Sequence, residues 1–454
     1  MPLLGKPTLG TTGSPVGLER PRAQDIWWLR PQALVAFGIL PVFSLLYLLP
    51  HLLGQDATGV RFRVYFDRTA FILGVGFFCV LASTATLFHH LNVRLGPAVA
   101  GSQEGSVPRL PMAAIDVTAL LTLFAYFLAF RGFVTSPGSV LAVFQGSGFS
   151  GHSLAPKIAG VTTLTQLGCV FITSALVWAW VYRVSLPKRV PVYFALIASL
   201  TVFRAFMWTE RLALIEFVTP IVVVGAAYRV RPRTGFGQGV LGLFPLLAVG
   251  AALVVFAATE YFRSWVSHYQ QASGLTFWEF VARRFLGYYY TSLNNGAGIL
   301  ALSDWPDWSF SSTAHWLRQF PFGVGTIFTH FVGDSEYFSF LVRYADPEFT
   351  NASGVFSAFG DLGIGGAAWY AAAWGAVLGY WYADFIKGRG LGVLMYPVAF
   401  VSLPESLRLL YLSNSRAFPI LLGTAVLYLI VRTLHSRGEG SPFVGRRVVS
   451  SGRP

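Results

Sequence analysis

The sequence predicts an all-α, polytopic integral membrane protein with about ten or more transmembrane helices. Of the 454 residues, 54% are hydrophobic and only 12% are charged, whereas about a quarter of the residues in an ordinary soluble domain are charged. A helical crossing takes about 20 mainly apolar residues, so the chain has room for about ten crossings and their loops. Both cysteines, Cys79 and Cys169, lie within apolar runs, which predicts neither a disulfide framework nor a cysteine metal site.

Runs of apolar residues indicate where the crossings lie. An N-terminal bundle of about seven crossings takes up residues 32–258, and further crossings take up residues 353–432. The stretch before residue 32 has no apolar core, so it predicts a flexible tail with an interfacial helix near Trp27 and Trp28, and no signal peptide. The ten runs lie near residues 32–54, 69–92, 112–131, 158–182, 192–208, 212–229, 239–258, 353–386, 393–410 and 417–432.

The distribution of basic residues predicts the orientation of the crossings. The chain carries 33 Lys and Arg against 20 Asp and Glu, scattered between apolar segments, so they form no basic stripe of the kind that binds nucleic acid. With flexible tails at residues 1–31 and 433–454 in the cytoplasm, 19 basic residues fall in cytoplasmic segments. The larger share of the basic residues thus lies on the cytoplasmic side. This distribution predicts that both termini are cytoplasmic and that the long loop at residues 259–352 is extracytoplasmic.

Arginines at the predicted outer ends of the crossings are candidates for binding an anion. Arg211 follows a tight corner between two crossings, and the last outer corner contains Glu405, Arg408 and Arg416. A guanidinium is always charged, and its planar fork matches phosphate oxygens. Two structural alternatives stay open: Arg211 could snorkel or pair with Glu210, and Glu405 could serve only to neutralise Arg408 or Arg416.

The long loop combines aromatic and charged side chains. Aromatic rings with polar edges, such as those of Tyr289 and Tyr290, suit sugar rings, but Trp and Tyr also gather at the lipid interface whatever the function. Residues 276–302 predict an amphipathic helix that carries Arg283 and Arg284 near its middle. Because adjacent residues point about 100° apart on a helix, at most one of the two arginines faces any given site.

Several other chemistries leave no motif in the sequence. The eight histidines show no metal-ligand spacing such as HExxH, no Gly-rich run carries the lysine of a P-loop, and no Gly-x-Ser-x-Gly elbow occurs. The loop contains the acidic pairs Asp334/Glu336 and Asp346/Glu348. Such pairs can hold a divalent ion through their oxygens, but acids in loops are more often simply solvated, so we predict no metal site.

Three segments, in this order, resemble those of Wzy-type oligosaccharide repeat-unit polymerases, which are relatives of the O-antigen ligases. They are the helix-start arginine within residues 209–215, the long loop, and the loop exit at residues 351–366 with its acid-x-Gly-x-x-Gly pattern. Residues 131–157 also resemble the shorter outer loop of the family, and residues 410–416 resemble its last outer corner. Where the ligases have a His-Asn pair before the acid, this chain has Ala352-Ser353, which favours a polymerase.

The resemblance implies a metal-independent membrane glycosyltransferase of the GT-C-like class in the bacterial cytoplasmic membrane. Such enzymes transfer a glycan from undecaprenyl diphosphate to an acceptor sugar at the outer face, with arginines holding the diphosphate leaving group; a flippase and chain-length regulators are the implied partners. Arg211 matches the helix-start arginine, and Arg283 or Arg284 matches an arginine of the long loop. The expected substrate-binding residues are Arg131, Arg211, Arg283, Arg284, Tyr289, Tyr290, Arg408 and Arg416.

A general base must take the proton of the acceptor hydroxyl, and the resemblance assigns none. The candidates that reach the predicted outer face are Glu210, His330, Glu348, Asp361 and Glu405. We favour Glu405 and Asp361 as the catalytic residues because both lie beside packed crossings, although either could serve packing alone.

Three alternative functions stay open. One is an O-antigen-ligase-like transferase. The second is a metal-using GT-C transferase, which would be expected to carry an acid in its first outer loop, where this chain has Asp56 and Asp67. The third is a transporter of lipid-linked glycan, which would be expected to have paired half-repeats with broken helices at the membrane midplane.

Overall fold

The computed structural model has helices as its only regular elements in the residues that it describes. Seven of these helices are long and apolar enough to cross a membrane. They confirm the prediction of an all-α, polytopic membrane protein. The described residues are 26–53, 63–95, 112–138, 140–141, 161–208, 210–230, 234–270, 274–318, 320, 323–330, 337–345 and 349–438.

Twelve helices carry the argument that follows, and the seven candidate crossings are α1 to α6 and α10. In chain order the twelve are α1 (Pro31–Leu52), α2 (Arg68–Arg94), α3 (Met112–Thr135), α4 (Val161–Val181), α5 (Arg189–Met207), α6 (Arg211–Tyr228), α7 (Gly235–Gly242), α8 (Phe244–Glu260), α9 (Phe277–Leu302), α10 (Gly354–Lys387), α11 (Gly392–Ala399) and α12 (Phe418–Gly438).

The described residues contain fewer full-length crossings than the ten that the sequence predicts. The predicted run at residues 239–258 is divided between α7 and α8, which are bent by 58° and count as one crossing only when taken together. The last two predicted crossings are shorter apolar stretches, Gly392–Glu405 and Phe418–Leu434. At 1.5 Å per residue the first spans about 21 Å, less than the ~30 Å hydrocarbon core. The second is the apolar part of α12 and spans about 26 Å, although α12 as a whole has 21 residues. Breaks in the helices therefore interrupt runs that are continuously apolar in sequence.

Helix α10 is divided by a break at Gly363. Its 34 residues would extend about 51 Å if straight, well beyond the ~30 Å hydrocarbon core. Gly363 has a positive φ of 69°, and a Cβ at this position would lie 3.2 Å from Pro306 Cγ. Both the left-handed backbone and the close approach favour glycine. The break leaves Asp361 in the first part of α10, next to the end of the long loop.

Glycine also lets α10 pack closely on α2. A Cβ on Gly379 would collide with the carbonyl oxygen of Ala85 in α2, and small residues at helix contacts are the usual way in which membrane helices approach each other. The contact belongs to the largest apolar core, which also contains side chains of α1, α6 and α11. A second core joins α3, α4, α5 and α6.

The helix predicted over residues 276–302 is present as α9. A capping box starts it, in which the Thr276 backbone N–H donates to Glu279 at 2.8 Å and the Glu279 N–H donates to the Thr276 hydroxyl. Only the first half is amphipathic, because residues 290–298 are all buried. There the side-chain oxygen of Asn294 accepts hydrogen bonds from two backbone N–H groups just before α2. Helix α9 therefore runs from the loop into the core.

The predicted interfacial helix at the N-terminal side is a buried 3₁₀ turn, Trp27–Leu29. Trp28 is only 2% exposed, because its side chain packs within the protein. The indoles of Trp27 and Trp28 donate to the carbonyl oxygens of Gly242 and Leu241, at 2.9 and 2.8 Å. The burial of Trp28 therefore reflects its docking against the end of α7. Most of both predicted tails, residues 1–25 and 439–454, lies outside the described residues.

Candidate functional site

Five arginines and four glutamates meet in one region of the bundle. They come from the ends of α5, α6 and α8, from within α6, from the first half of α9, and from the turns between α11 and α12. Each side chain is at most 20% exposed, so these charges are largely removed from solvent. The set, which we call the arginine–glutamate cluster, consists of Arg204, Arg211, Arg284, Arg408, Arg416, Glu210, Glu216, Glu260 and Glu405.

The first group of the cluster joins the α5–α6 corner to the start of α12. Arg204 donates to Glu210 through Nε at 2.9 Å and to the hydroxyl of Thr165 in α4. Arg416 Nη1 lies 3.4 Å from Glu210, and its Nε donates to Glu216 at 3.0 Å. Burial alone would lower the pKa of the Arg416 guanidinium, but the Glu216 and Glu210 carboxylates raise it above its ordinary value. Glu210 thus pairs with both Arg204 and Arg416.

The second group is a carboxylate held between two arginines. Arg211, the first residue of α6, donates to Glu260 Oε1 and, through Nε, to the Thr259 hydroxyl at 2.9 Å. Arg284 of α9 donates through Nε to Glu260 Oε2 at 2.7 Å. The guanidinium of Arg211 also lies over the ring of Phe256, 4.1 Å from its centroid. The arginine pair that the resemblance assigns to the diphosphate therefore shares one carboxylate.

The third group lies at the turn after α11. Arg408 donates through Nη1 to Glu405 Oε2 at 2.8 Å and through Nη2 to the Tyr288 hydroxyl at 2.9 Å. Of the two partners that the sequence allows for Glu405, the structure has Arg408 and not Arg416. Within the described part of the chain, Glu405 Oε1 accepts no hydrogen bond, and Arg408 Nε is buried without a partner. Glu405 Oε1 is therefore available as a hydrogen-bond acceptor, and Arg408 Nε is available as a donor.

The second and third groups are connected through one aromatic ring. The ring of Phe256 contacts Arg211 of the second group and the Tyr288 ring of the third, with 6.4 Å between the ring centroids of Phe256 and Tyr288. The described members of the cluster thus bring five guanidinium groups and four carboxylates together away from solvent.

The carboxylate of Asp361 binds the middle of the long loop, at residues 311–313. Its Oδ2 accepts hydrogen bonds from the backbone N–H of Ser312 at 2.9 Å, and from the backbone N–H and hydroxyl of Thr313 at 2.7 and 2.8 Å. Its Oδ1 accepts a further, longer hydrogen bond from the Ser311 hydroxyl. These contacts fix the loop to the first part of α10. They make Asp361 a weaker candidate for a general base than Glu405.

Of the remaining predicted binding residues, Tyr289 lies beside the cluster, within electrostatic range of Glu405 and Arg408. Arg131 and Arg283 are exposed, so of the adjacent pair on α9 it is Arg284 that faces inward. Tyr289 is half-buried and contacts the ring of Phe285. Tyr290 is fully buried, and its hydroxyl has no hydrogen-bond partner in the described part of the chain. Tyr290 is therefore a packing residue in this structure, without an accessible edge for a sugar.

Of the acidic residues considered as metal ligands, only Asp67 lies within the described residues. Asp67 caps α2 by accepting from the Ala70 N–H at 2.9 Å. Asp56, Glu348 and both acidic pairs of the long loop lie outside the described residues, as does the side chain of His330. Among the residues that the structure describes, no group of three or more His, Cys, Asp or Glu could hold a metal ion.

A small polar cavity adjoins the first group. It has a volume of about 10 Å³, enough for about one water molecule, and it is lined by Thr165, Thr201, Arg204 and Glu216 among others. The cavity is far too small for a sugar or a diphosphate. A substrate that used this part of the cluster would have to displace the side chains around it.

Three members of the cluster, Arg204, Glu216 and Glu260, are absent from the sequence-based candidates. All three have a recognisable signal, because a charged residue within or at the end of an apolar run is costly in a membrane and usually has a partner. Glu216 follows Arg-Leu-Ala-Leu-Ile near the start of α6, and Glu260 ends the apolar run of α8. Applied to all apolar runs, the same criterion would have found them.

Comparison of the chain with protein-family models, with curated proteins and with solved structures finds no match.

Proposed function

We propose that the chain is an integral-membrane glycosyltransferase that polymerises oligosaccharide repeat units carried on undecaprenyl diphosphate. The observation that carries the proposal is the meeting of five arginines from separate segments of the chain in one largely buried cluster. Together with the segments that resemble Wzy-type polymerases, the cluster supports a site for an anionic leaving group. Under this proposal the cluster lies at the outer face of the bacterial cytoplasmic membrane, with both termini in the cytoplasm.

Breaking the bond between the sugar and the diphosphate develops negative charge on the leaving group. Guanidinium groups held in a poorly hydrated region stabilise that charge without having to reorganise during the reaction. Arg211 and Arg284 are suited to this role because they already converge on one carboxylate, Glu260. A guanidinium group can bind phosphate oxygens through two parallel hydrogen bonds. Two such groups therefore suit a diphosphate.

The acceptor hydroxyl has to lose its proton as it attacks the sugar. We assign the general base to Glu405, because its Oε1 accepts no hydrogen bond within the described residues, whereas both oxygens of Asp361 are engaged. Arg408 beside it donates to the other oxygen, Oε2, at 2.8 Å. Asp361 then serves to hold the loop in position.

A defined reconstitution tests the proposal. The purified chain in liposomes is incubated with a lipid-linked oligosaccharide whose sugar is labelled, and the glycan length is measured by gel electrophoresis. We expect longer glycans, one free undecaprenyl diphosphate released for each linkage formed, and the same result in the presence of a chelator. The absence of elongation with folded protein contradicts the proposal, and a need for a divalent metal favours a metal-using transferase.

Transport of lipid-linked glycan is the second candidate, and the broken helices favour it. The bend between α7 and α8 and the break at Gly363 are features that transporters often use near a binding site. The same liposomes distinguish the two functions. Movement of the labelled lipid across the bilayer without any glycan elongation supports transport instead of polymerisation.

A further inference from the structure

The carboxylate of Glu260 occupies the position between two arginines that converge from different helices. One oxygen accepts a hydrogen bond from Arg211 of α6, and the other accepts from Arg284 of α9. Glu260 is 1% exposed, so its carboxylate is held between the two guanidinium groups away from solvent. An anion with two oxygens therefore already fills this site, and it belongs to the protein itself.

The helix that carries Glu260 is attached to the bundle in a way that suits rotation. Helix α8 meets α7 at Leu243 with a bend of 58°, and α7 contains four glycines in eight residues. The side of α8 that faces away from the bundle is apolar and open, with Leu246 70% and Val254 62% exposed. In a bilayer that side of α8 faces lipid, so a movement of α8 on that side displaces lipid.

The two ends of α8 differ in how firmly they are held. At the α7 junction, Trp28 donates to the Leu241 carbonyl at 2.8 Å and stacks on Phe244 with 5.1 Å between ring centroids, and Trp28 belongs to the largest core. At the other end, Phe256 belongs to a small apolar cluster that is separate from that core. The junction is therefore the pivot, tied to the largest core, whereas the buried end with Glu260 is held by the small cluster and by the two arginines. Displacing Glu260 removes part of what holds that end.

The size of the required movement is small. Helix α8 has 17 residues and is about 25 Å long. A rotation of about 10° at the pivot moves its far end by about 4 Å, which exceeds the reach of a hydrogen bond. A segment of π-helix, Tyr261–Tyr269, follows Glu260 directly, and such wide turns are frequent at functional positions in helices.

We propose that Glu260 is an internal counter-anion that fills the Arg211–Arg284 site until a diphosphate group displaces it, with α8 rotating about its junction with α7. This inference rests on the proposed function for the identity of the anion. A diphosphate carries more charge and more oxygens than a carboxylate, so it can take both arginines from Glu260. Glu260 is thus a positioning residue: it keeps the two guanidinium groups convergent when no substrate is bound and leaves when one enters.

Neutralising Glu260 tests the displacement directly. Binding of inorganic diphosphate to the purified full chain in nanodiscs is measured by calorimetry for the wild type and for Glu260→Gln. Because the competing carboxylate is removed, we expect the variant to bind diphosphate about tenfold more tightly, within the usual range of coupling between sites. The matched control is Asp304→Asn, which neutralises an exposed acid outside the cluster and should bind like the wild type. Equal or weaker binding by folded Glu260→Gln overturns the proposal.

A second measurement on a protein that retains Glu260 covers the case in which Glu260→Gln does not fold. Spin labels are attached to cysteines at Val254 of α8 and Ala282 of α9, both exposed, with Cys79 and Cys169 replaced by serine. Because Val254 lies about 15 Å along α8 from the pivot, inorganic diphosphate should change the distance between the labels by about 3 Å, and an unchanged distance overturns the proposal. If the wild-type protein forms polymer but neither the tighter binding by Glu260→Gln nor the change in label distance is seen, only the displacement is refuted. If both are seen but no polymer forms, only the polymerase function is refuted.

Discussion

The replacement of Glu405 by glutamine separates a catalytic role from a packing role. Glu405 is 3% exposed and accepts one hydrogen bond, 2.8 Å long, from the equally buried Arg408. The amide keeps the size of the side chain and an acceptor oxygen. The hydrogen bond from Arg408 can therefore still form, but its acceptor is neutral instead of charged. Hydrogen bonds to charged groups contribute about 1.5–3 kcal/mol and neutral ones about 0.5–1.5 kcal/mol. We therefore expect the free energy of unfolding to fall by about 1–2 kcal/mol.

The loss of the proton acceptor should be much larger than this structural effect. Proton transfer by a positioned side chain contributes about 10²–10⁴-fold to a rate, so Glu405→Gln should lower polymer formation by that factor. The melting temperature should fall by only a few degrees, since about 1 kcal/mol corresponds to about 2–4 °C in a domain of 150–250 residues. Both quantities are measured on the same preparation, so that a loss of folded protein cannot pass for a loss of catalysis.

The matched control changes the other partner of Arg408. Tyr288→Phe removes the hydroxyl that accepts from Arg408 Nη2 at 2.9 Å but keeps the ring beneath the guanidinium. It should lower the melting temperature to a similar extent while polymer formation is largely retained. A folded Glu405→Gln protein that forms polymer at the wild-type rate refutes the assignment of the base. Asp361→Asn would then be tested in the same way.

Three further predictions concern the arginines and the topology. Arg211→Lys should be nearly as inactive in polymer formation as Arg211→Ala, because an ammonium cannot reproduce the fork that reaches both Thr259 and Glu260; wild-type polymer length from the lysine variant, at equal protein level, would make Arg211 a membrane anchor. Arg284→Ala should abolish polymer formation whereas Arg283→Ala should not, since only Arg284 faces the cluster; equal effects of the two would contradict the assignment. A cysteine at Ser303 should react with an impermeant thiol reagent added from outside the cell, and labelling only from the cytoplasmic side would overturn the topology.

Much of the fold can be predicted from the sequence because its signals are local. In a bilayer a helix satisfies its own backbone hydrogen bonds, so apolar runs at residues 32–54 and 69–92 already indicate α1 and α2, within a few residues at most of their bounds. The capping box at Thr276 and Glu279 lies within four residues of sequence, and it indicates the start of α9. The number of crossings is less well predicted, because a break such as that between α7 and α8 hardly changes the mean hydropathy.

The sequence by itself therefore determined that this is a helical membrane protein and that arginines lie where its apolar runs end. Only the tertiary structure decided which charges neutralise each other, because the partners are distant in sequence: Glu260 lies 49 residues from Arg211, and Glu216 lies 200 residues from Arg416. Neighbours in sequence can differ in their positions, since Arg283 is exposed whereas the adjacent Arg284 binds Glu260. A buried charge has to find a partner of opposite sign, and packing of the helices selects that partner.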